Sequence, residues 1–284
     1  MLWNYSICGR GLRINAPFFP ANSEIWEKFQ SESVKPDINV ECNISEKLPE
    51  INSEWSKRDQ SDYCVEENVL YKRIYMGCAD GAVISTALND LSKKEITFVE
   101  SSFKTLMDER YMWSTIGLAE SLLFYDSLLM HASYIEYDGE AILFTAPCGT
   151  GKSTQAELWR KFAGATVING DKAGVSYIDG KFYACGVPFC GTSGICENKT
   201  LPLKAIVELG QSKQNTIRRL TGVNGLQAVL GNTYIDMHTP GVPVRCVELI
   251  NKILSSVCVY HLDCTPDERA VEILKSSLKT NNSD

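Results

Sequence analysis

The spacing of apolar residues splits the chain into a strand-rich first part and a mixed second part. Leu2 to Cys8 and Leu12 to Ile14 read as two short strands, followed by a helix that starts at Ser23 with Glu24 and Glu27 in its first turn. From about Ser31 to Asp62 the pattern lapses. Ser, Glu, Asp, Lys and Asn dominate, apolar residues are isolated, and the stretch reads as a solvated loop, an irregular insertion or a mobile segment. Val65 to Met76, Ala82 to Ala87 and Glu95 to Val99 are rich in β-branched and aromatic residues and predict strands of a mostly antiparallel sheet. Residues 1–105 thus form a β-rich N-terminal region with a polar insertion at about 31–62.

The second part, residues 106–284, mixes periods. A helix is predicted from Glu109 to Tyr125, where Met112, Ile116, Ala119, Leu122 and Leu123 make one apolar stripe and Gly117 is the weak point. Leu128 to Tyr137 and Glu140 to Thr145 read as a hairpin turned at Asp138-Gly139, one of the stronger short-range hairpin signals. The apolar run Ala141 to Phe144 enters a Gly-rich turn, and the turn opens into Gln155 to Phe162, where Ala156, Trp159, Phe162 and Ala163 recur at helical spacing. Thr166 to Asp171 is a short strand ending in a carboxylate. Val175 to Ile178 and Phe182 to Cys185 form a second hairpin through Asp179-Gly180, Gly186 to Gly194 is a Gly/Pro loop, and Leu203 to Leu209 is another strand. Helices are predicted at Leu226 to Leu230, Val244 to Ser255 and Pro266 to Leu278, the last with Thr265 as N-cap, Pro266 first and Glu268 completing a capping box. There is no internal repeat. The fold class this predicts is mixed α+β.

Composition excludes some classes. Hydrophobic content of 44% and charged content of 22% are those of a soluble globular protein. With a net charge of −7 and no block of like charge, nothing resembles a basic nucleic-acid arm, which argues against a nucleic-acid partner. The N-terminus lacks the basic start and apolar core of a signal peptide. The most apolar long stretch, Ile116 to Met130, is interrupted by Glu120 and Asp126 and is too short to span a bilayer, so no membrane partner is expected. Eleven cysteines include no Cys-x-x-Cys pair, and Cys185 and Cys258 sit in apolar strand-like runs, where free Cys behaves as a small hydrophobe. Reduced thiols in the cytoplasm are the better reading. The spacing of Cys185, Cys190 and Cys196 fits no usual zinc-ligand pattern.

The candidate chemistry lies in Pro147-Cys148-Gly149-Thr150-Gly151-Lys152-Ser153-Thr154. Strand, Gly-rich turn and helix are the context a phosphate-binding loop needs. Gly149 and Gly151 let successive amides converge on a phosphate, and the helix N-terminus adds unpaired N–H groups and a positive dipole end. Lys152 then reaches the terminal phosphates of a nucleoside triphosphate, and the Ser153 hydroxyl ligates Mg²⁺. One position departs from the G-x-x-x-x-G-K-[ST] pattern: Ala146 stands where the first Gly is usual.

Three landmarks in order, His131-Ala-Ser133, the loop Pro147 to Thr154, and Asn169-Gly-Asp171, make the chain resemble the HPr kinase family and the related nucleotide fold of phosphoenolpyruvate carboxykinases. The resemblance covers residues 128–200 clearly, the rest of the C-terminal half loosely, and residues 1–105 not at all. It implies a nucleotide-binding core with a mixed, largely antiparallel sheet in which the loop follows a β-hairpin. It also implies an ATP-dependent kinase that moves the γ-phosphate to a hydroxyl, Ser by analogy, of a small protein or peptide. His131 is then expected near the γ-phosphate or metal, and Asp171 as base or metal ligand. Relatives carry two adjacent acidic residues where this chain has Asn169-Gly-Asp171-Lys172, so Gly170 or Lys172 replaces one carboxylate. The loop Gly186 to Gly194, with Thr192 and Ser193, is the acceptor-side element, and Arg218 and Arg219 are candidates for a charge-stabilising arginine. His238 and His261 are read as structural. HPr kinases assemble as hexamers, which leaves a homo-oligomer open by analogy. A small-molecule kinase and a nucleotide-binding regulatory protein with little turnover are the alternatives; a carboxykinase fits least, because the chain is far shorter than those enzymes.

Overall fold

Period-two alternation of buried and exposed residues organises the N-terminal half. The computed structural model describes residues 1–17, 24–57, 61–108 and 111–280, and the chain divides into two units, Met1–Tyr125 with Ile235–Pro243 and Asp126–Tyr234 with Val244–Asp284. In unit 1, β1 (Leu2–Ile7), β2 (Arg10–Asn15), β3 (Pro36–Ser45), β4 (Ser56–Lys57), β5 (Ser61–Glu66), β6 (Val69–Ile74), β7 (Ala82–Ala87) and β8 (Lys93–Val99) form one eight-stranded sheet in the order β1-β2-β3-β8-β7-β6-β5-β4. Only the pairs β2–β3 and β3–β8 are parallel. The short helices α1 (Glu24–Glu27), α2 (Glu100–Leu106), α3 (Met112–Thr115) and α4 (Leu118–Phe124) add Trp26, Phe103 and Leu122 to its core.

Three expectations for this unit are corrected. The polar stretch 31–62 contains β3, a ten-residue strand in the interior of the sheet. Ile38, Val40 and Cys42 are buried while Glu41 and Asn43 are exposed, and a half-buried strand needs an apolar residue only at every second position. The single strand expected from Val65 to Met76 is the hairpin β5–β6, turned where Glu67 and Asn68 take positive φ of 47° and 67°. The single helix expected at 109–125 is α3 and α4, broken at Gly117 with φ +57°. A Cβ on Gly117 would lie 3.0 Å from Lys94 Cε, and Lys94 Nζ donates to the Gly117 carbonyl at 2.7 Å. The break therefore accommodates a buried lysine. The units divide after Tyr125, so the helices beyond residue 105 belong with the first sheet. Ser23, Glu109 and residues 58–60 lie outside the described residues.

Unit 2 has mixed sheet pairing. β9 (Ser127–Tyr137) and β10 (Glu140–Thr145) form the expected hairpin, with Asp138 and Gly139 at φ 54° and 74°. β11 (Thr166–Asn169), β12 (Lys172–Ile178), β13 (Lys181–Cys185), β14 (Thr200–Gln211), β15 (Thr216–Leu220), β16 (Thr233–Tyr234) and β17 (Cys258–Cys264) complete it. The path β10-β9-β12-β13-β14 closes on itself because β10 also pairs with β14, in parallel; β17 extends it parallel to β14, and β15 is the antiparallel edge. β11 and β16 pair with β9. The helices are α5 (Lys152–Ala163), α6 (Gly222–Leu230), α7 (Val242–Ser256) and α8 (Glu268–Thr280). Phe144, Val207, Leu209 and Leu262 of the strands meet Ala156 and Trp159 of α5 and Leu274 of α8 in one buried cluster.

The α8 cap is displaced from its expected position. Asp267, not Thr265, accepts the free amides of Arg269 and Ala270, at 3.0 and 3.4 Å, while the Thr265 hydroxyl donates to Asp267. A carboxylate next to the first turn outcompetes a hydroxyl two residues back. Among the described residues no helix is long and apolar enough to cross a membrane.

Candidate active site

The Gly-rich loop is held at both of its ends. β10 lies between β9 and β14, and Thr145 Oγ1 donates to the His131 carbonyl at 2.9 Å. The loop leaves β10 at Ala146, and α5 begins at Lys152. Gly151 has φ +120°, a backbone state L side chains rarely take, and it sits directly before the helix. From β14, Gln211 Nε2 reaches the carbonyls of Thr150 and Gly149 at 3.3 and 3.5 Å. The departure at Ala146 has a packing reason: its methyl group is fully buried in the cluster with Phe144 and Trp159. Pro147, Cys148, Gly149, Ser153 and Thr154 are exposed and Thr150 and Gly151 half-buried, whereas Lys152 is buried, its Nζ donating to the Ala146 carbonyl at 3.0 Å. Burial lowers the Lys152 pKa, and the negative charges of Asp171 and Cys148 oppose that shift.

A second cluster forms where β11 turns into β12. His131 on β9 and Lys172 on β12 are direct cross-strand neighbours, and Asp171 lies just before Lys172. His131 Nε2 stands 3.3 Å from Asp171 Oδ1, and Lys172 Nζ 2.5 Å from Oδ2. The bond from His131, then the Lys172 ammonium, hold the Asp171 carboxyl well below the usual carboxylate range against the opposing effect of burial.

Asn169 sets this turn. Its Oδ1 accepts from the amides of Asp171 and Lys172 at 2.9 and 3.0 Å, and its Nδ2 donates to the carbonyls of Val187 and Phe189 at 2.9 and 3.3 Å. One buried amide therefore ties the Asp171 turn to the Gly186–Gly194 loop. Ser133 Oγ adds a bond to the Gly170 carbonyl at 2.9 Å. A Cβ on Gly170 would lie 2.2 Å from Ser193 Oγ, so the loop leaves no room for a side chain at 170. Lys172 is thus the residue that places a charged group beside Asp171.

Tyr234, from β16, completes the cluster. Its ring centroid is 6.2 Å from that of His131 and 5.5 Å from Lys172 Nζ. Burial first, then the negative charges of Asp171 and Cys148, push its hydroxyl above its ordinary pKa. Tyr234 and the anchoring role of Asn169 were not anticipated from the sequence, which names Lys172 only as one of two residues that replace a carboxylate. Tyr234 carries no local signal, because β9 recruits it from far along the chain.

Other expectations fall elsewhere. Arg218 and Arg219 are exposed on the edge strand β15, separated from β10 by β14 and β17. His261 is more than a packed residue: Nδ1 lies 2.7 Å from Glu208 Oε2 and Nε2 3.2 Å from Asp263 Oδ1. Among the described residues no group of three or more His, Cys, Asp or Glu side chains is arranged to hold a metal. The Ser153 hydroxyl and the Asp171 carboxylate are nonetheless oxygen donors of the kind Mg²⁺ takes together with phosphate and water, and each Asp171 oxygen keeps acceptor capacity beyond its present partner.

No protein-family model matches the chain, and no curated protein matches it significantly. Among the solved structures that match is an HPr(Ser) kinase/phosphatase from Coxiella burnetii, 10% identical, with 55% of this chain and 99% of that one covered and a TM-score of 0.34.

Proposed function

We propose that unit 2 is an HPr kinase-like phosphotransferase that binds ATP, or another nucleoside triphosphate, and moves its γ-phosphate to a hydroxyl, Ser by analogy, of a small protein or peptide. The observation that carries this reading is that Thr145, which leads into the Gly-rich loop, is hydrogen-bonded to His131, and His131 with Lys172 holds Asp171 on both oxygens. Transfer of a phosphoryl group asks a protein for positioning and charge stabilisation more than for covalent chemistry. The loop amides from Cys148 to Thr154 and the Lys152 ammonium hold the terminal phosphates. Ser153 and Asp171 would hold Mg²⁺, which would supply charge neutralisation. Asp171 also takes the acceptor proton. Its depressed pKa makes it a weak base, and a loose transition state needs no stronger one, because the proton leaves after the new P–O bond has begun to form.

A nucleotide-binding regulatory protein with little turnover is the second reading, favoured by the fact that both Asp171 oxygens are already paired with side chains of the same protein. The test is label transfer from γ-labelled ATP with Mg²⁺ into a size-fractionated extract of the source organism, beside the Lys152→Ala and Asp171→Asn proteins. A labelled protein or peptide that both substitutions abolish is expected, with Asp171→Asn still binding nucleotide. Labelling that survives Asp171→Asn removes the catalytic assignment. Nucleotide binding without any labelled macromolecule shifts the weight to a small-molecule acceptor or to the regulatory reading.

A further inference from the structure

The Gly186–Gly194 loop approaches Asp171 more closely than a side chain at its tip would allow. Gly191 opens a single 3₁₀ turn, Gly191–Ser193, and a Cβ built on it would lie 2.8 Å from both Cβ and Cγ of Asp171 and 3.0 Å from Oδ2. Its φ of +55° suits glycine for a second reason. The backbone of this turn is therefore in van der Waals contact with the carboxylate. The two hydroxyls that follow differ. Ser193 Oγ is engaged, donating to the Cys190 carbonyl at 2.7 Å and accepting from the Ile195 amide at 3.2 Å. Thr192 is exposed, and its hydroxyl has no hydrogen-bond partner among the described residues.

We propose that Thr192 is a phosphorylation site of the protein's own kinase centre, modified in cis. This rests on the kinase reading of that centre. The Asn169 amide fixes the loop carrying Thr192 to the turn carrying Asp171, and Gly191, the residue before Thr192, lies against Asp171, so Thr192 is kept beside the centre without a docking step. That removes the entropic cost of bringing acceptor and phosphate together, the advantage any intramolecular acceptor has over one in solution. In the step itself, Thr192 Oγ1 bonds to the γ-phosphorus of a bound nucleoside triphosphate. The bond from that phosphorus to the β,γ-bridging oxygen breaks, the nucleoside diphosphate leaves with the electron pair, and the hydroxyl proton passes to Asp171 and on to water. The product is a dianionic phosphothreonine on the turn beside the Asp171 carboxylate, where like charge repels the phosphates of a second nucleotide.

The test incubates the purified full-length chain with ATP and Mg²⁺ and maps phosphate by peptide mass spectrometry, with nucleotide binding measured separately. The expected result is a single phosphothreonine at 192, formed at a rate constant independent of protein concentration. Thr192→Val should reduce incorporation at least about tenfold while nucleotide affinity stays the same. Phosphate on another residue, a rate constant that rises with protein concentration, or nucleotide binding without any phosphothreonine each overturns the assignment and leaves the kinase reading standing on its own test. Failure to bind nucleotide at all overturns both.

Discussion

At the scale of single residues the centre depends on Asn169. Its hydrogen bonds go in two directions, toward the Asp171–Lys172 amides and toward the Val187 and Phe189 carbonyls and Cys196 Sγ. Asn169→Ala leaves buried amides and carbonyls without partners, and each such group costs about 1–3 kcal/mol. The expected outcome is a loss of about 3 kcal/mol in urea unfolding, below the simple sum because water reaches part of the opened turn. Phosphoryl transfer should fall with it. Asn169→Asp separates the two directions: it keeps the acceptor for the Asp171 turn but turns an oxygen toward the loop carbonyls. Limited proteolysis within 186–194 should accelerate in the Asp variant, and an unchanged cleavage rate there would show that Asn169 does not anchor the loop. The landmark Asn169-Gly-Asp171 stands in the sequence, but its hydrogen-bonding role is set by Val187 and Phe189, which no local pattern connects to it.

At the scale of elements, the loop is as well placed as the helix behind it. Trp159 on α5 is fully buried, edge-on to Tyr137 at 5.0 Å and against Phe144 at 6.2 Å. Truncating such a side chain typically costs about 3–5 kcal/mol. Trp159→Ala should therefore lower stability by that amount and weaken nucleotide binding, because the amides at the α5 N-terminus move with the helix. Trp159 Nε1 is buried without a hydrogen-bond partner, so Trp159→Phe removes little besides volume and should cost far less. Equal losses in the two variants would count against packing as the cause. Elements with a local signature were legible in the sequence: the Asp138-Gly139 and Asp179-Gly180 hairpins and the strand–loop–helix around Lys152 stand where the pattern placed them. Elements whose partners lie far away were not. β3 has polar residues at every second position and is defined by β2 and β8 on either side, and the break at Gly117 answers to Lys94 on another strand. The Glu208–His261–Asp263 row likewise exists only because β14 and β17 are neighbours.

At the scale of the whole molecule, half-buried Lys72 and buried Lys94 of unit 1 bear on how stability responds to pH. Lys72 lies 3.1 Å from Asp236 and 3.5 Å from Glu120; burial lowers its pKa, but those carboxylates outweigh burial and hold it above the ordinary lysine value. Lys94 is fully buried with no carboxylate in contact. Its Nζ donates to the Gly117 carbonyl and the Ser121 hydroxyl, and burial brings its pKa down to about 8, Glu120 and Asp90 only partly opposing and Lys72 adding to the fall. A depressed lysine pKa means that between about pH 8 and 10.5 the unfolded chain binds more protons than the folded one, so this group's contribution to stability rises with pH across that window. The shift corresponds to a gain on the order of 3 kcal/mol. Lys72 has the opposite sign, but its stabilisation is lost only above its unfolded value of 10.5. The thiols of Cys42 and Cys246, pushed up to about 12 and about 11 by burial, also oppose the rise, because they stay protonated in the folded chain when unfolded thiols ionise. The measurement is therefore a difference: unfolding free energy of wild type minus that of Lys94→Met, from pH 7 to 10.5. Intrinsic fluorescence suits it, since Trp3, Trp26, Trp55 and Trp113 lie in unit 1 and only Trp159 lies outside. The difference should climb in favour of wild type as the pH passes 8. A flat difference would mean that Lys94 keeps its proton in the folded chain, held by a partner stronger than Gly117 and Ser121.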